Sequence, residues 1–190
     1  MPGLGGRTIG KLGATAVLMG GPDILTSLAS GAIDAAEWIC PVADLGLGMH
    51  QAAKFYYGPG WHEPSTLLDL SIDLKEWEGL DADTQGLMME MAKAFNVDVF
   101  SRFQALNGPA LGKLLNEHGV ALKTFPDELL IALGNAAGEV MEERGSINSQ
   151  TKAICNHILS FRKNIMDWST KGESEFARIR NLPFKFPTSV

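Results

Sequence analysis

Glu37 and Glu63 are the two carboxylates in this sequence best placed to do chemistry, each beside an aromatic or imidazole ring: Trp38 next to Glu37, and Trp61-His62 before Glu63. Paired carboxylates at a pocket can act as general acid and base. They can also hold a hard cation such as Na⁺ or Ca²⁺, which takes oxygen ligands from carboxylates and backbone carbonyls. Two surface glutamates are the plain alternative. An indole at such a place can wall off the apolar part of a ligand, or can simply pack.

The elements around these residues follow from hydrophobic period and punctuation. Residues 32–39 read as a short strand ending on Glu37-Trp38, and residues 44–57 as a helix closed by Gly58-Pro59-Gly60. Glu63 then falls in a loop. Strand ends and the loops beside them are where α/β sheets bind ligands.

The rest of the order is read in the same way. The glycine-rich start feeds a helix that stops at Gly13. It lacks the Lys-Ser/Thr of a phosphate loop, so it reads as a tight turn. Residues 15–19 read as a strand, and Pro22 opens a helix over 23–30 with Gly31 past its end. Residues 66–74 alternate as a strand. Beyond Leu80 the pattern turns helical. One helix, capped at Asp81–Thr84, runs to Asn107 and is broken by Gly108-Pro109; another follows to His118. A strand over 120–125 precedes a helix from Pro126 to Arg144, and residues 147–179 are helical with a break at Lys171-Gly172. Residues 181–190 read as a loosely ordered tail. The fold class is α/β, a mostly parallel sheet with helices on both faces and long C-terminal helices. The methionine-bearing stripe Leu87, Met88, Met91, Phe95 reads as core.

Other candidates fall away. His62 has no second ligand at metal spacing, since HEP is not HExxH, and His50, His118 and His157 stand alone on helices. Cys40 has no basic neighbour to activate it. Cys40 and Cys155 read as buried free thiols, with a disulfide in an oxidising compartment as the alternative, and no GxSxG elbow accompanies any serine. No enzymatic constellation emerges, and the chain does not read as an enzyme. The net charge of −6 on 190 residues, without a Lys/Arg cluster, argues against nucleic acid as a partner. No apolar run is long enough to span a bilayer. The N-terminal MPGLGGRTIGKLG has no apolar signal segment, so the chain as written is expected to remain in the cytoplasm.

Three stretches, PGLGGRTIGKLGA at 2–14, IDAAEW at 33–38 and AAKFYYGPGWHEP at 52–64, resemble the DctP-type substrate-binding proteins of TRAP transporters. Weaker matches extend over nearly the whole chain. Those receptors are longer, and this chain resembles only their C-terminal half. The resemblance implies the second lobe of a periplasmic-binding-protein-like (type II) fold, with the N-terminal lobe missing. It implies one partial domain over 1–190, made of an α/β ligand-lobe segment at 1–80 and a mainly helical segment at 81–190. The function implied is periplasmic capture of a small organic acid, a 2-oxo or 2-hydroxy carboxylate, and its delivery to TRAP membrane subunits.

In the family a Na⁺ or Ca²⁺ ion bridges the ligand carboxylate to the protein. Carried over, Glu37 and Glu63 supply side-chain oxygens, Trp38 supplies its backbone carbonyl, and the Trp38 indole faces the substrate. An arginine that clamps the ligand precedes PGLGG in the family. That position falls just before Met1, and Arg7 does not match it, so the chain alone is expected to bind cation and acid poorly or not at all. The alternative reading is a truncated lobe working as a dimeric interaction or structural protein. Helices from Asp81 onward, meant to pack on the first lobe, would then be partly bare and would favour a homodimer.

Overall fold

A computed structural model describes residues 3–62 and 69–185. Helix α1 (Gly3–Lys11) is followed by α2 (Gly21–Ser30), α3 (Pro41–Leu47), a 3₁₀ turn (Met49–Gln51) and strand β1 (Phe55–Tyr57). Helix α4 (Leu74–Glu78), the long α5 (Ala82–Asn116), β2 (Ala121–Lys123) and α6 (Asp127–Gly145) come next. Helix α7 (Ser149–Ser169) continues through a π turn (Thr170–Ser174) into α8 (Glu175–Arg180).

The punctuation residues act as their chemistry requires. Pro22 sits in the first turn of α2, and Gly31 closes it with φ of 75°, in the left-handed region that favours glycine. Asp81 caps α5 by accepting from the Thr84 backbone N–H at 2.8 Å. Asp127 and Glu128 occupy the first turn of α6, where the helix dipole favours negative charge.

The sheet is smaller than the sequence suggests. Among the described residues it has two strands, β1 and β2, paired parallel with Phe55 opposite Ala121 and Tyr57 opposite Lys123. Residues 15–19 and 32–39 are not assigned as strands. An apolar run becomes a strand only where a ladder forms beside it, and the pattern of one segment cannot supply that. Of the expected strand at 66–74, residues 66–68 lie outside the described residues. Residues 69–73 are irregular and Leu74 already begins α4.

Two helix boundaries also differ. The expected helix over 44–57 ends at Leu47, because Gly48 turns left-handed with φ of 77°. The chain then enters β1. Conversely, Gly108-Pro109 does not break α5, which runs on to Asn116. A helix-interior proline forfeits a hydrogen bond and crowds the preceding turn. Here the residues after it are held by packing: Ala110 and Leu114 are buried, and Asn107 just before it accepts from the Val42 N–H at 3.2 Å. Lys171-Gly172 likewise passes through the π turn without ending the helical run.

The core joins α5, α6 and α7 to the N-terminal helices. Ile24, Leu114, Val120, Leu133, Val140 and Cys155 are buried. Helix α6 packs on both α1 and α7, and α3 packs on α5. Of the stripe Leu87, Met88, Met91 and Phe95, Met88 is half-buried and the others are not core; Leu87, Met91 and Phe95 are each about 60% exposed (61%, 63% and 60%). Cys40 and Cys155 are free thiols. Arg7 is exposed, as a surface residue should be.

Candidate functional site

Glu37 and Trp38 lie in the irregular segment that links α2 to α3. The segment is anchored from both sides. On one side the Trp38 indole lies on Gly21 at the start of α2: a Cβ there would meet the ring at 2.6 Å, so only glycine leaves room for the indole. On the other side Asp44, in α3, accepts from the Ile39 N–H at 3.4 Å.

Asp44 is itself buried and takes a second, shorter hydrogen bond from the Tyr56 hydroxyl at 2.5 Å. Burial pushes the Asp44 carboxyl above the usual carboxylate range, while the Tyr56 hydroxyl and the Ile39 N–H pull it back. Tyr56 is raised, first by burial and then by the bond it donates. Strand β1, helix α3 and the Glu37-Trp38 segment are therefore tied through one carboxylate. The sequence pattern places both Tyr56 and Asp44 in one helix over 44–57 and singles out neither. No signal in the local pattern marks two polar residues that meet only after the helix ends at Leu47.

His62 approaches Glu37, with Nε2 3.9 Å from Oε2. Its side chain is only 10% exposed, whereas that of Glu37 is 44% exposed. Among the described residues, neither ring nitrogen of His62 has a hydrogen-bond partner. Trp61 leans on the imidazole with ring centroids 4.7 Å apart, and both rings line a cavity of about 380 Å³ between α1 and α6. The structure thus brings His62 to Glu37, a pairing that sequence spacing did not show. Glu63 lies outside the described residues.

Glu37 and the Trp38 backbone carbonyl carry oxygen donors, the atom type that hard cations take. Among the described residues there is no group of three or more His, Cys, Asp or Glu that could hold a metal ion. The described side chains thus match a hard cation in type but fall short of a full shell. No described helix is long and apolar enough to cross a membrane.

The profile of DctP, bacterial extracellular solute-binding protein, family 7, matches residues 2–146. A monocarboxylate 2-oxoacid-binding periplasmic protein from Nostoc sp. is 35% identical over 176 residues, which is 93% of this chain and 48% of that protein. The TRAP transporter solute-binding protein of Bordetella bronchiseptica, with calcium and picolinate in a mixed-occupancy dimer, superposes with a TM-score of 0.85 at 30% identity. The match covers 95% of this chain and 53% of that one. The periplasmic solute-binding protein of Pseudoalteromonas atlantica, solved with sodium and pyruvate, gives a TM-score of 0.87 at 28% identity, covering 97% and 55%. A Colwellia psychrerythraea counterpart holds calcium and pyruvate, at 0.85 and 29%, covering 94% and 54%. The chain therefore spans about half the length of the relatives it matches.

Proposed function

Because this chain belongs to the DctP family of bacterial extracellular solute-binding proteins, family 7, we propose that it forms the second lobe of a periplasmic TRAP-type receptor for small 2-oxo or 2-hydroxy carboxylates. The observation that carries this is the fold match, at 28% and 29% identity, to two receptors solved with pyruvate and a hard cation. The lobe's part is to present oxygen donors. Glu37 and Glu63 offer carboxylates and Trp38 its backbone carbonyl to a Na⁺ or Ca²⁺ ion that bridges to the ligand carboxylate. Such an ion, when bound, lets a site lined with glutamates accept an anion. The Trp38 indole covers the apolar part of the acid. Its seat on Gly21 holds that ring, and the Asp44 bond to Ile39 holds the backbone next to it.

Capture in a two-lobed receptor is closure of both lobes on the ligand. The partners are thus the facing lobe, the small acid and the TRAP membrane subunits. The test joins this chain to the N-terminal half of the Nostoc relative and titrates pyruvate by calorimetry with Ca²⁺ or Na⁺. Binding that needs the cation, and that weakens in Glu37→Gln and in Glu63→Gln, supports the reading. Cation-independent binding, or unchanged affinity in both variants, removes these residues from the site.

A second reading has its own observation. The outward stripe of α5, Leu87, Met91 and Phe95, supports self-association of the 190-residue polypeptide. On that reading the isolated chain is a homodimer without ligand capture.

A further inference from the structure

Trp38 has two tasks in the proposed receptor, and a different residue holds it for each. Its carbonyl shares a peptide unit with the Ile39 N–H, and Asp44 accepts from that N–H at 3.4 Å. The unit is trans and planar, so the carbonyl points away from Asp44. Asp44 is buried and is tied in turn to Tyr56. The oxygen offered to a cation is thus oriented without help from the indole.

The indole is placed by Gly21. A Cβ there would lie 2.6 Å from Cη2, 3.1 Å from Cζ2 and 3.3 Å from Cζ3, the outer carbons of the six-membered ring. The tip of the ring therefore rests on the first residue of α2, and no ligand atom fits between them. The seat is firm. Pro22 fixes its own φ, the Asp23 N–H donates to the Gly20 carbonyl at 3.0 Å, and Ile24 is buried. Trp38 is only half-buried, so a ligand can reach the ring from the side away from α2.

We infer that Gly21 is a specificity-determining residue for the acid: having no side chain, it lets the Trp38 ring stand back against α2 and so sets how long an acyl chain the site admits. This rests on the reading that the indole covers the apolar part of the acid. A methyl group at position 21 must push the ring tip out by about 1 Å, from 2.6 Å to ordinary contact at 3.4 Å or more. The backbone is held at Ile39, so the ring turns on its own torsions, into the space that the tail of the acid occupies. A short acid keeps its place and a longer one loses room. One methylene more or less in an apolar pocket changes affinity by about tenfold or more.

The test uses this chain joined to the N-terminal half of the Nostoc relative, titrated by calorimetry in Ca²⁺ with pyruvate and with 2-oxopentanoate. Gly21→Ala should keep pyruvate binding and its need for the cation, and should lose about tenfold in affinity for 2-oxopentanoate relative to pyruvate. Trp38→Phe, with a shorter ring that no longer reaches the seat, should move the ratio of the two affinities the other way. Adding Gly21→Ala to Trp38→Phe should leave that ratio unmoved, because the two residues act through one contact. A merely structural role for Gly21 would weaken both acids together, and in either background. Equal losses for the two acids in Gly21→Ala, a shift towards the longer acid, or the same shift in the Trp38→Phe background overturns the inference. If Gly21→Ala does not fold, Trp38→Phe decides: an unmoved ratio there overturns it as well. A joined protein that binds neither acid refutes the reading of Trp38 and this inference together, whereas cation-dependent pyruvate binding with an unmoved ratio refutes this inference alone.

Discussion

The Tyr56 hydroxyl donates to Asp44 Oδ2 at 2.5 Å and so fastens strand β1 to helix α3. The same carboxylate accepts from the N–H of Ile39, the residue after Trp38. Each of the two donors offsets part of the cost of burying this carboxylate. Tyr56→Phe removes the stronger donor and leaves Asp44 buried with the longer bond alone. The expected loss is about 1–3 kcal/mol in urea denaturation. An unchanged midpoint would mean that water replaces the phenol without cost.

The Asp44 carboxyl also sets a pH trend opposite to that of most carboxylates. Its folded-state pKa is raised, chiefly by burial. Its contribution to stability is therefore fully present below the unfolded value and is lost as pH rises through the folded value. Asp44→Asn should flatten that segment of the stability profile. A profile with the same slope in both proteins would assign it to other groups.

Gly21 carries the next prediction. A methyl group there would stand 2.6 Å from the Trp38 ring, closer than any real contact. Gly21→Ala must therefore shift the indole. Overpacking of this kind costs about 1–3 kcal/mol. Trp38 fluorescence, isolated by comparison with Trp38→Phe, should move to longer wavelength as the ring leaves its seat. An unmoved spectrum would show that the α2 backbone gives way instead.

His50 and His118 stack with ring centroids 3.9 Å apart, joining the 3₁₀ turn to the end of α5. Burial first, and the His118 charge second, lower the His50 pKa. A depressed histidine contributes stability that is present above the unfolded value and lost as pH falls towards the folded one. The urea midpoint should therefore decline on acidification between about pH 7.5 and about pH 5. His50→Phe, which keeps a stacking ring without a proton site, should remove part of that decline. A decline of full size in His50→Phe would place the proton uptake elsewhere.

These features differ in how far the sequence announces them. Pro22, Gly31, Asp81 and Pro126 mark helix ends because their effects are local, and the helices start or stop within a residue or two of them. The strand expected at 120–125 survives as Ala121–Lys123, beside β1. What failed was contextual. The helical period of 44–57 was real, but Gly48 turns, and Tyr56 finds Asp44 instead of the next helical turn. Pro109 was read by its local cost, which burial of Ala110 and Leu114 offsets. At the site, Glu37 and Trp38 were legible as residue types, whereas the approach of His62 to Glu37 joins segments that only the fold brings together.

Leu87, Met91 and Phe95 recur every four residues on α5 and share one face. Each keeps about three-fifths of its surface in water (61%, 63% and 60%). A large apolar side chain moved fully out of water gains about 1.5–3 kcal/mol. A two-fold contact uses the same face twice, so the stripe is presented by both copies. The 190-residue polypeptide should therefore sediment as a dimer or larger at high concentration. Met91→Lys combined with Phe95→Lys places two ammonium groups per copy on that face and removes its apolar centre. The dissociation constant should rise by roughly a hundredfold or more. Helix content should hold, since lysine is a good helix former. Sedimentation of the unaltered polypeptide as a clean monomer would refute self-association. A double variant that still dimerises would locate the contact on another face, such as the exposed Ile158, Phe161 and Trp168 of α7.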